Sequence, residues 1–331
     1  MTTTAATTTT TTEITFAEAI NQAIKEEMRS DPSIFIMGES IRGGIYGITG
    51  GLHQEFGDDR VMDTPLSETA FMGAAVGAAA VGMRPITGAS CAFMWVAMDQ
   101  FVNQVAKMKY MFGGQATLPI TYRVGVGYGG NAAAHHTDRP HPIYMNIPGM
   151  KIVMPTTPAD AKGLFRTAVR DDDPVLFFED NNVVGLRGEV PDGEYTIPFG
   201  VADIKREGTD VTVVAIGGMV PRALAAAETL AGEGISVEVV DPRSLVPLDK
   251  QTILDSVAKT GRLAVVDPAH KTCSLASEIC GMVAEEGFWN LKGPVQRIAS
   301  LMVHPPFSIA LEKFLYPDEA KIIEGVKRTL A

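Results

Sequence analysis

Long apolar runs are missing from this chain of 331 residues. The longest small-and-apolar stretch, AFMGAAVGAAAVGM at 70–83, is shorter than the roughly 18 residues a membrane-spanning helix requires. Cysteine is scarce: Cys91, Cys273 and Cys280 are scattered, odd in number and form no CxxC pair. That excludes a disulfide framework and fits a reducing compartment. An excess of base is also missing. With 28 Lys and Arg against 39 Asp and Glu, the net charge of −11 argues against nucleic acid or an anionic membrane as partner. The first twelve residues, MTTTAATTTTTT, have neither the basic region nor the apolar core of a secretory signal, and their nine threonines predict a disordered tail over 1–12. A cytoplasmic protein is expected. There is no GxxxxGK[ST] phosphate loop, no HExxH helix and no fixed-period repeat.

What is present is an alternation of helical and strand patterns, which predicts an α/β fold with mostly parallel sheets. In TFAEAINQAIKEEMRS (15–30), Phe16, Ile20, Ile24 and Met28 recur every fourth residue, the pattern of an amphipathic helix. SIFIMG (33–38), LPITYRVGVG (118–127), MKIVMP (150–155) and PVLFFED (174–180) read as strands, and GGIYGITGG (43–51) as a glycine-rich loop. Residues 181–200 lose periodicity and collect turn formers, which predicts a linker. The pattern restarts beyond it, with strands at 211–218, 235–242, 260–268 and 294–300 and helices at 221–234 and 274–287. Two parallel-sheet α/β domains are therefore expected, over 13–180 and 201–331.

The most informative segment is DTPLSETAFMGAAVGAAAVGMRP (63–85). Ser67 can cap a helix whose first turn holds Glu68. One face of that helix, Ala70, Gly73, Ala74, Gly77 and Ala78, carries only small residues. Either the helix is buried and tightly packed, or another backbone or a flat ligand approaches this face. Apolar surroundings would raise the Glu68 pKa and suit it to proton exchange, while the helix N-terminus would stabilise its anion.

The stretch NAAAHHTDRPHP (131–142) holds His135, His136 and His141 around Asp138 and Arg139. Its spacing matches no established zinc pattern, so a solvated polar loop, a metal site and a catalytic histidine on a loop remain as readings. Gly125, Gly127 and Gly130 satisfy GxGxxG, but no helix and acidic partner complete a dinucleotide fingerprint.

Several blocks occur in a telling order: DTPLSETAFMGAAVGAA, AMDQFVNQVAKMKYMFGG, PGMKIVMPTTPADAKGL, RDDDPVLFFED and VVDPRSLVPLD. Together they resemble the β subunit of thiamin-diphosphate-dependent 2-oxo acid dehydrogenases. The wording of AKMKYMFGG, GEYTIPFGVADIKREG and CSLASEI is closest to acetoin dehydrogenase β subunits. The resemblance implies a transketolase-like pyrimidine-binding domain followed by a transketolase C-terminal-type domain. It implies thiamin diphosphate with magnesium, held mainly by an α subunit, because this chain lacks the GDG…N segment of the related α subunits. Two α and two β chains, a lipoyl acyltransferase core and a small ketone or 2-oxo acid substrate complete the implied system.

Residue by residue, Glu68 matches the glutamate that bonds the aminopyrimidine ring nitrogen and favours the tautomer that deprotonates the thiazolium. Leu66 falls where an apolar residue contacts the cofactor. Phe93, or alternatively Met94, falls where an aromatic packs on the pyrimidine. Glu39 and Asp99 match an acidic set proposed to relay protons, or else are ordinary interface residues. His136 matches the active-site histidine. Ile120, Ala168, Asp171 and Asp173 lie where some relatives hold a structural potassium ion, largely through backbone carbonyls.

Departures from the family pattern gather on one side. The usual QHSQSLEA becomes HHTDRPHP, the usual RGPNG-like loop becomes RVGVGYGG, and HPPF puts His304 where a smaller polar residue is usual. His135, Asp138, Arg139 and His141 are thereby expected to form an altered substrate wall. The leading expectation is a β subunit that cleaves acetoin or decarboxylates a pyruvate-like 2-oxo acid and passes the acyl unit to lipoamide. Its rivals are a stand-alone acyloin-forming or acyl-transferring enzyme on the same cofactor, and a non-catalytic metal-binding or scaffold protein.

Overall fold

A computed structural model describes residues 10–44 and 47–331. Residues 1–9 of the expected tail, and Ile45 and Tyr46 of the glycine-rich loop, lie outside the described residues. Thr11 and Thr12 do not continue the tail. They open strand β1 (Thr11–Thr15), which leads directly into helix α1 (Phe16–Ser30). Thr15 and Glu18 close a capping box at the start of α1, and Phe16, Ile20, Ile24 and Met28 are fully buried.

Next come β2 (Ile34–Gly38), α2 (Leu52–Phe56), β3 (Val61–Asp63), α3 (Glu68–Ala80) and β4 (Arg84–Ser90). Residues 91–105 coil in 3-10 and π turns and run into α4 (Ala106–Met111). The first half continues through β5 (Thr121–Val126), α5 (His141–Met145), β6 (Lys151–Val153), α6 (Pro158–Arg170) and β7 (Val175–Asp180). The second half contains β8 (Arg187–Pro191), β9 (Asp203–Arg206), β10 (Val211–Ala215), α7 (Met219–Ala231), β11 (Val237–Asp241), β12 (Ser244–Val246), α8 (Lys250–Thr260), β13 (Leu263–His270), α9 (Leu275–Glu286), β14 (Gln296–Ser300), α10 (Ile309–Glu312) and α11 (Glu319–Thr329).

The strands form two main sheets, ordered β12-β6-β7-β5-β4-β2-β3 and β14-β13-β10-β11-β9. All neighbours within them are parallel except β12 on β6 and β9 on β11. Parallel strands covered on both faces are mostly apolar, and β2, β7, β10 and β11 are buried at every position.

Two features cross the expected division. The stretch 181–200 contains β8, which pairs antiparallel with β1 from Thr11↔Pro191 to Thr15↔Arg187. Strand β12, from the second half, covers the β6 edge of the first sheet and leaves fewer backbone groups open there. The two halves are thus laced together, and neither exchange leaves a periodic signal in the sequence.

Helix α3 does not pack its small face within this chain, which leaves that face open to another backbone. Phe71, Met72, Ala75, Val76 and Ala79 turn inward. Ala70, Ala74 and Gly77 face outward and are exposed, with no atom within 4 Å of where a Gly77 side chain would begin. The packed side is the opposite one, because it carries the larger apolar residues.

Candidate functional site

The carboxyl ends of β2, β4, β5 and β7 enclose a cavity of about 270 Å³. Its lining includes Glu39, Ser90, Phe93, Arg123, Glu179 and Asn181. β2 lies between β3 and β4, so the chain order reverses beside it, and such a switch point is where open α/β sheets bind ligands. Arg123 and Glu179 form a two-pronged ion pair of 2.6 and 2.7 Å in the wall. Its alignment is that of a fixed brace rather than a mobile charge.

Glu39 follows the last residue of β2, Gly38, whose φ of 155° suits glycine. Burial, and then the charge of nearby Glu68, push the Glu39 carboxyl above its usual value. Its Oε1 is buried and has no hydrogen-bond partner. Glu68 itself is only half-buried, since the first turn of α3 stands at the surface, and Leu66 is 83% exposed. Ser67 occupies the N-cap position without a side-chain capping bond. Two half-buried carboxyls, Glu39 and Glu68, thus share this corner.

Phe93 and Met94, alternatives in the sequence, separate cleanly. Phe93 lines the cavity and meets the His136 ring edge-on at 5.3 Å, while Met94 is fully buried in the core. Gly125, also in the lining, faces open space, so a flat group can lie against its backbone. Asp99 does not join them. It is exposed, and hydrogen bonds from the Asn103 and then the Gln104 side chains hold its carboxyl below the usual value.

The 131–142 loop divides in the same way. His135 and His136 are exposed, as is His304. Asp138 accepts the Trp95 indole N–H at 2.6 Å and its own loop's Arg139 N–H at 2.8 Å, so it braces the loop from inside. Arg139 is buried with its guanidinium over the Tyr316 ring at 5.2 Å, and its Nε and Nη1 have no hydrogen-bond partner. His141 is fully buried, with Nε2 at 3.2 Å from Oδ1 of the equally buried Asp267. Of the expected wall, His141 is thus packed in the seam between the halves and presents no free surface. The reason is local: α5 begins at His141 and turns its first residue inward.

Burial would raise the Asp267 carboxyl, but His141 and the amides of Ala269 and Ala276 outweigh it and hold the carboxyl below its usual value. Among the described residues, no group of three or more His, Cys, Asp or Glu side chains could hold a metal ion.

Ile120 and Ala168 are buried near the start of β5 and the end of α6. Asp171 accepts Lys151 Nζ at 2.7 Å on both oxygens, and Asp173 pairs with Lys109 and Lys151. These carboxylates are already neutralised by lysines, so the side chains do not form a free cation cage.

Asp267, Glu312 and Tyr316, which hold the histidine loop, were not singled out from the sequence. They lie more than a hundred residues beyond it, and no spacing rule reaches that far.

The transketolase pyrimidine binding domain matches residues 12–187, and the transketolase C-terminal domain matches residues 200–322. The β subunit of acetoin:2,6-dichlorophenolindophenol oxidoreductase from Cupriavidus necator is 48% identical over 325 residues, covering 94% of this chain and 96% of that one. Its Bacillus subtilis namesake is 46% identical, covering 94% and 95%. The Bacillus subtilis 2-oxoisovalerate dehydrogenase β subunit is 42% identical, covering 96% and 98%. A solved split-gene transketolase, described as an inactive β4 tetramer, superposes with a TM-score of 0.79 at 24% identity, covering 96% and 98%, and shows the shared fold. The chain belongs to the family of transketolase-like β subunits of acetoin and 2-oxo acid dehydrogenases.

Proposed function

We propose that this chain is the β half of a thiamin-diphosphate enzyme that cleaves acetoin or a 2-oxo acid and passes the acyl unit to a lipoyl acyltransferase. The observation that carries the reading is the cavity lined by Glu39, Phe93 and the open face of Gly125, with Glu68 beside Glu39. That donor set fits a flat, nitrogen-rich ring. Bound thiamin diphosphate supplies a carbon nucleophile and an electron sink for the cleaved bond.

The chain's own residues orient and protect. Glu68 would hold a proton at the aminopyrimidine ring nitrogen, Phe93 would pack on that ring, and Leu66 would contact the cofactor. Glu39 and Asp99 remain proposed members of a proton relay, with Glu39 favoured by its place beside Glu68. His136 stands on an exposed turn against Phe93, where it can exchange a proton with substrate or product. His135, Asp138 and Arg139 shape the substrate side.

Magnesium and the diphosphate are assigned mainly to an α subunit, in a complex of two α and two β chains, because no GDG…N segment occurs here. A potassium ion near Ile120, Ala168, Asp171 and Asp173 would rest on backbone carbonyls, since both carboxylates are paired. The reading places the enzyme in the cytoplasm, in keeping with three free cysteines.

Acetoin is favoured by the 48% and 46% identities to acetoin oxidoreductase subunits, against 42% to the 2-oxoisovalerate enzyme. The test is turnover of both substrates by the chain assembled with an α subunit, cofactor and magnesium, with and without a lipoyl domain. Glu68→Gln is expected to lower that turnover by at least about 100-fold while assembly survives. Near-normal turnover of the variant would overturn the assignment. Activity indifferent to the lipoyl domain would favour a different acyl acceptor.

A further inference from the structure

The loop carrying His136 makes few backbone contacts of its own. Among the described residues, its amides at 129 and 131 reach instead to Glu312, at the end of α10 in the second half of the chain. Gly129 N donates to Oε1 at 2.9 Å and Asn131 N donates to Oε2 at 2.8 Å, while Tyr316 Oη donates to Oε1 at 3.2 Å. Glu312 is 1% exposed, so all three donors act on a carboxylate removed from water.

The backbone at Gly129 and Asn131 has φ of 72° and 60°, and Ala133 follows at 57°. Left-handed turns of this kind point alternate amides into a concavity that suits an anion. Asn131 and Ala133 bear side chains that disfavour such φ values, so the conformation persists only where its surroundings over-determine it. Glu312 supplies that constraint. His136 lies five residues past Asn131, and five residues further on His141 is anchored to Asp267. Between the anchors, Arg139 lies over Tyr316, whose ring also packs against Tyr128 at 5.2 Å.

We propose that Glu312 is a positioning residue for the reaction: from the second half of the chain it sets the place and orientation of His136. This rests on the reading of His136 as the active-site histidine. Glutamine at 312 keeps the shape but loses the charge and one of the two acceptor oxygens, so one loop amide is left facing an N–H₂ group. The loop then relaxes and His136 leaves its place against Phe93.

The test uses the assembled complex carrying Glu312→Gln, His136→Ala or both. Glu312→Gln is expected to lower kcat about 10- to 100-fold, with cofactor affinity unchanged, and to add no further loss in the His136→Ala background. A multiplicative loss in the double variant would overturn the proposal, because it would mean that Glu312 acts apart from His136. A second readout does not depend on turnover. The rate of His136 carbethoxylation by diethyl pyrocarbonate at one fixed pH, followed by mass spectrometry, should rise in Glu312→Gln as the ring leaves Phe93. An unchanged rate overturns the proposal even if the enzyme proves to use another substrate. A raised rate supports it even then. If Glu312→Gln does not fold, Tyr316→Phe removes only one donor to the same carboxylate. It should raise the His136 rate by a smaller amount, and an unchanged rate in that variant counts against the proposal.

Discussion

The two ends of the site are built in opposite ways. At the Glu68 end, α3 turns a face of Ala70, Ala74 and Gly77 outward, Leu66 is 83% exposed, and nothing among the described residues covers them. At the His136 end, the loop is held from behind by Asp267, Glu312 and Tyr316 of the same chain. One end is finished by this polypeptide and the other is left smooth and open. A smooth helix face lets a second backbone approach closely, whereas a braced loop is useful before any partner arrives.

The comparison is broken most sharply at Gly77. Gly77→Leu should leave the isolated chain folded and slightly more stable, by about 0.5–1 kcal/mol, since leucine is the better helix former and meets no atom there. Its association with an α subunit should weaken by an order of magnitude or more, as read by sedimentation of the mixed chains. Unimpaired assembly would show that the open face is not where a partner sits.

The braced end should respond in the reverse sense. His141→Ala takes away the side-chain partner of buried Asp267 and leaves it only the Ala269 and Ala276 amides, which costs about 1–3 kcal/mol in the isolated chain. Thermal unfolding of the β chain alone reads this loss. A change confined to the assembled enzyme would mean that the loop, too, depends on a partner.

The smallest expected effect lies elsewhere in the seam. Burial pushes the Asp241 carboxyl up to about 7, with Lys205 opposing. In the unfolded chain an aspartate ionises near ~4, so the folded value is the higher one. Its contribution to stability is therefore full below about pH 4 and is lost as pH rises through about 7. Asp241→Asn should flatten that slope, raising Tm relative to the parent chain by roughly 2–4 °C at pH 8 and leaving it unchanged at pH 4. Since Asp241 touches neither end of the catalytic corner, activity at neutral pH should stay the same.

Much of the fold was legible because helices and strands declare themselves by period. The four-residue spacing in α1 and the apolar runs of β2, β7, β10 and β11 gave their places. Strands β1, β8 and β12 were not legible. They are short, polar or mixed, and exist because a distant partner pairs with them. Candidate residues divide along the same line. Glu68 and His136 stood out through local wording, and Phe93 was left beside Met94 until the turn at 91–97 put one in the cavity and the other in the core.

By itself, the sequence determined the α/β class, the family, and a carboxylate and a histidine as the groups to follow, since each rests on side chains close together along the chain. Only the tertiary structure decided that the small face of α3 is open, that Glu39 stands beside Glu68, and that His141 is a buried anchor. Burial and charge pairing depend on what folds over a residue. For this loop the covering atoms come from Asp267, Glu312 and Tyr316, far along the chain, where no local pattern announces them.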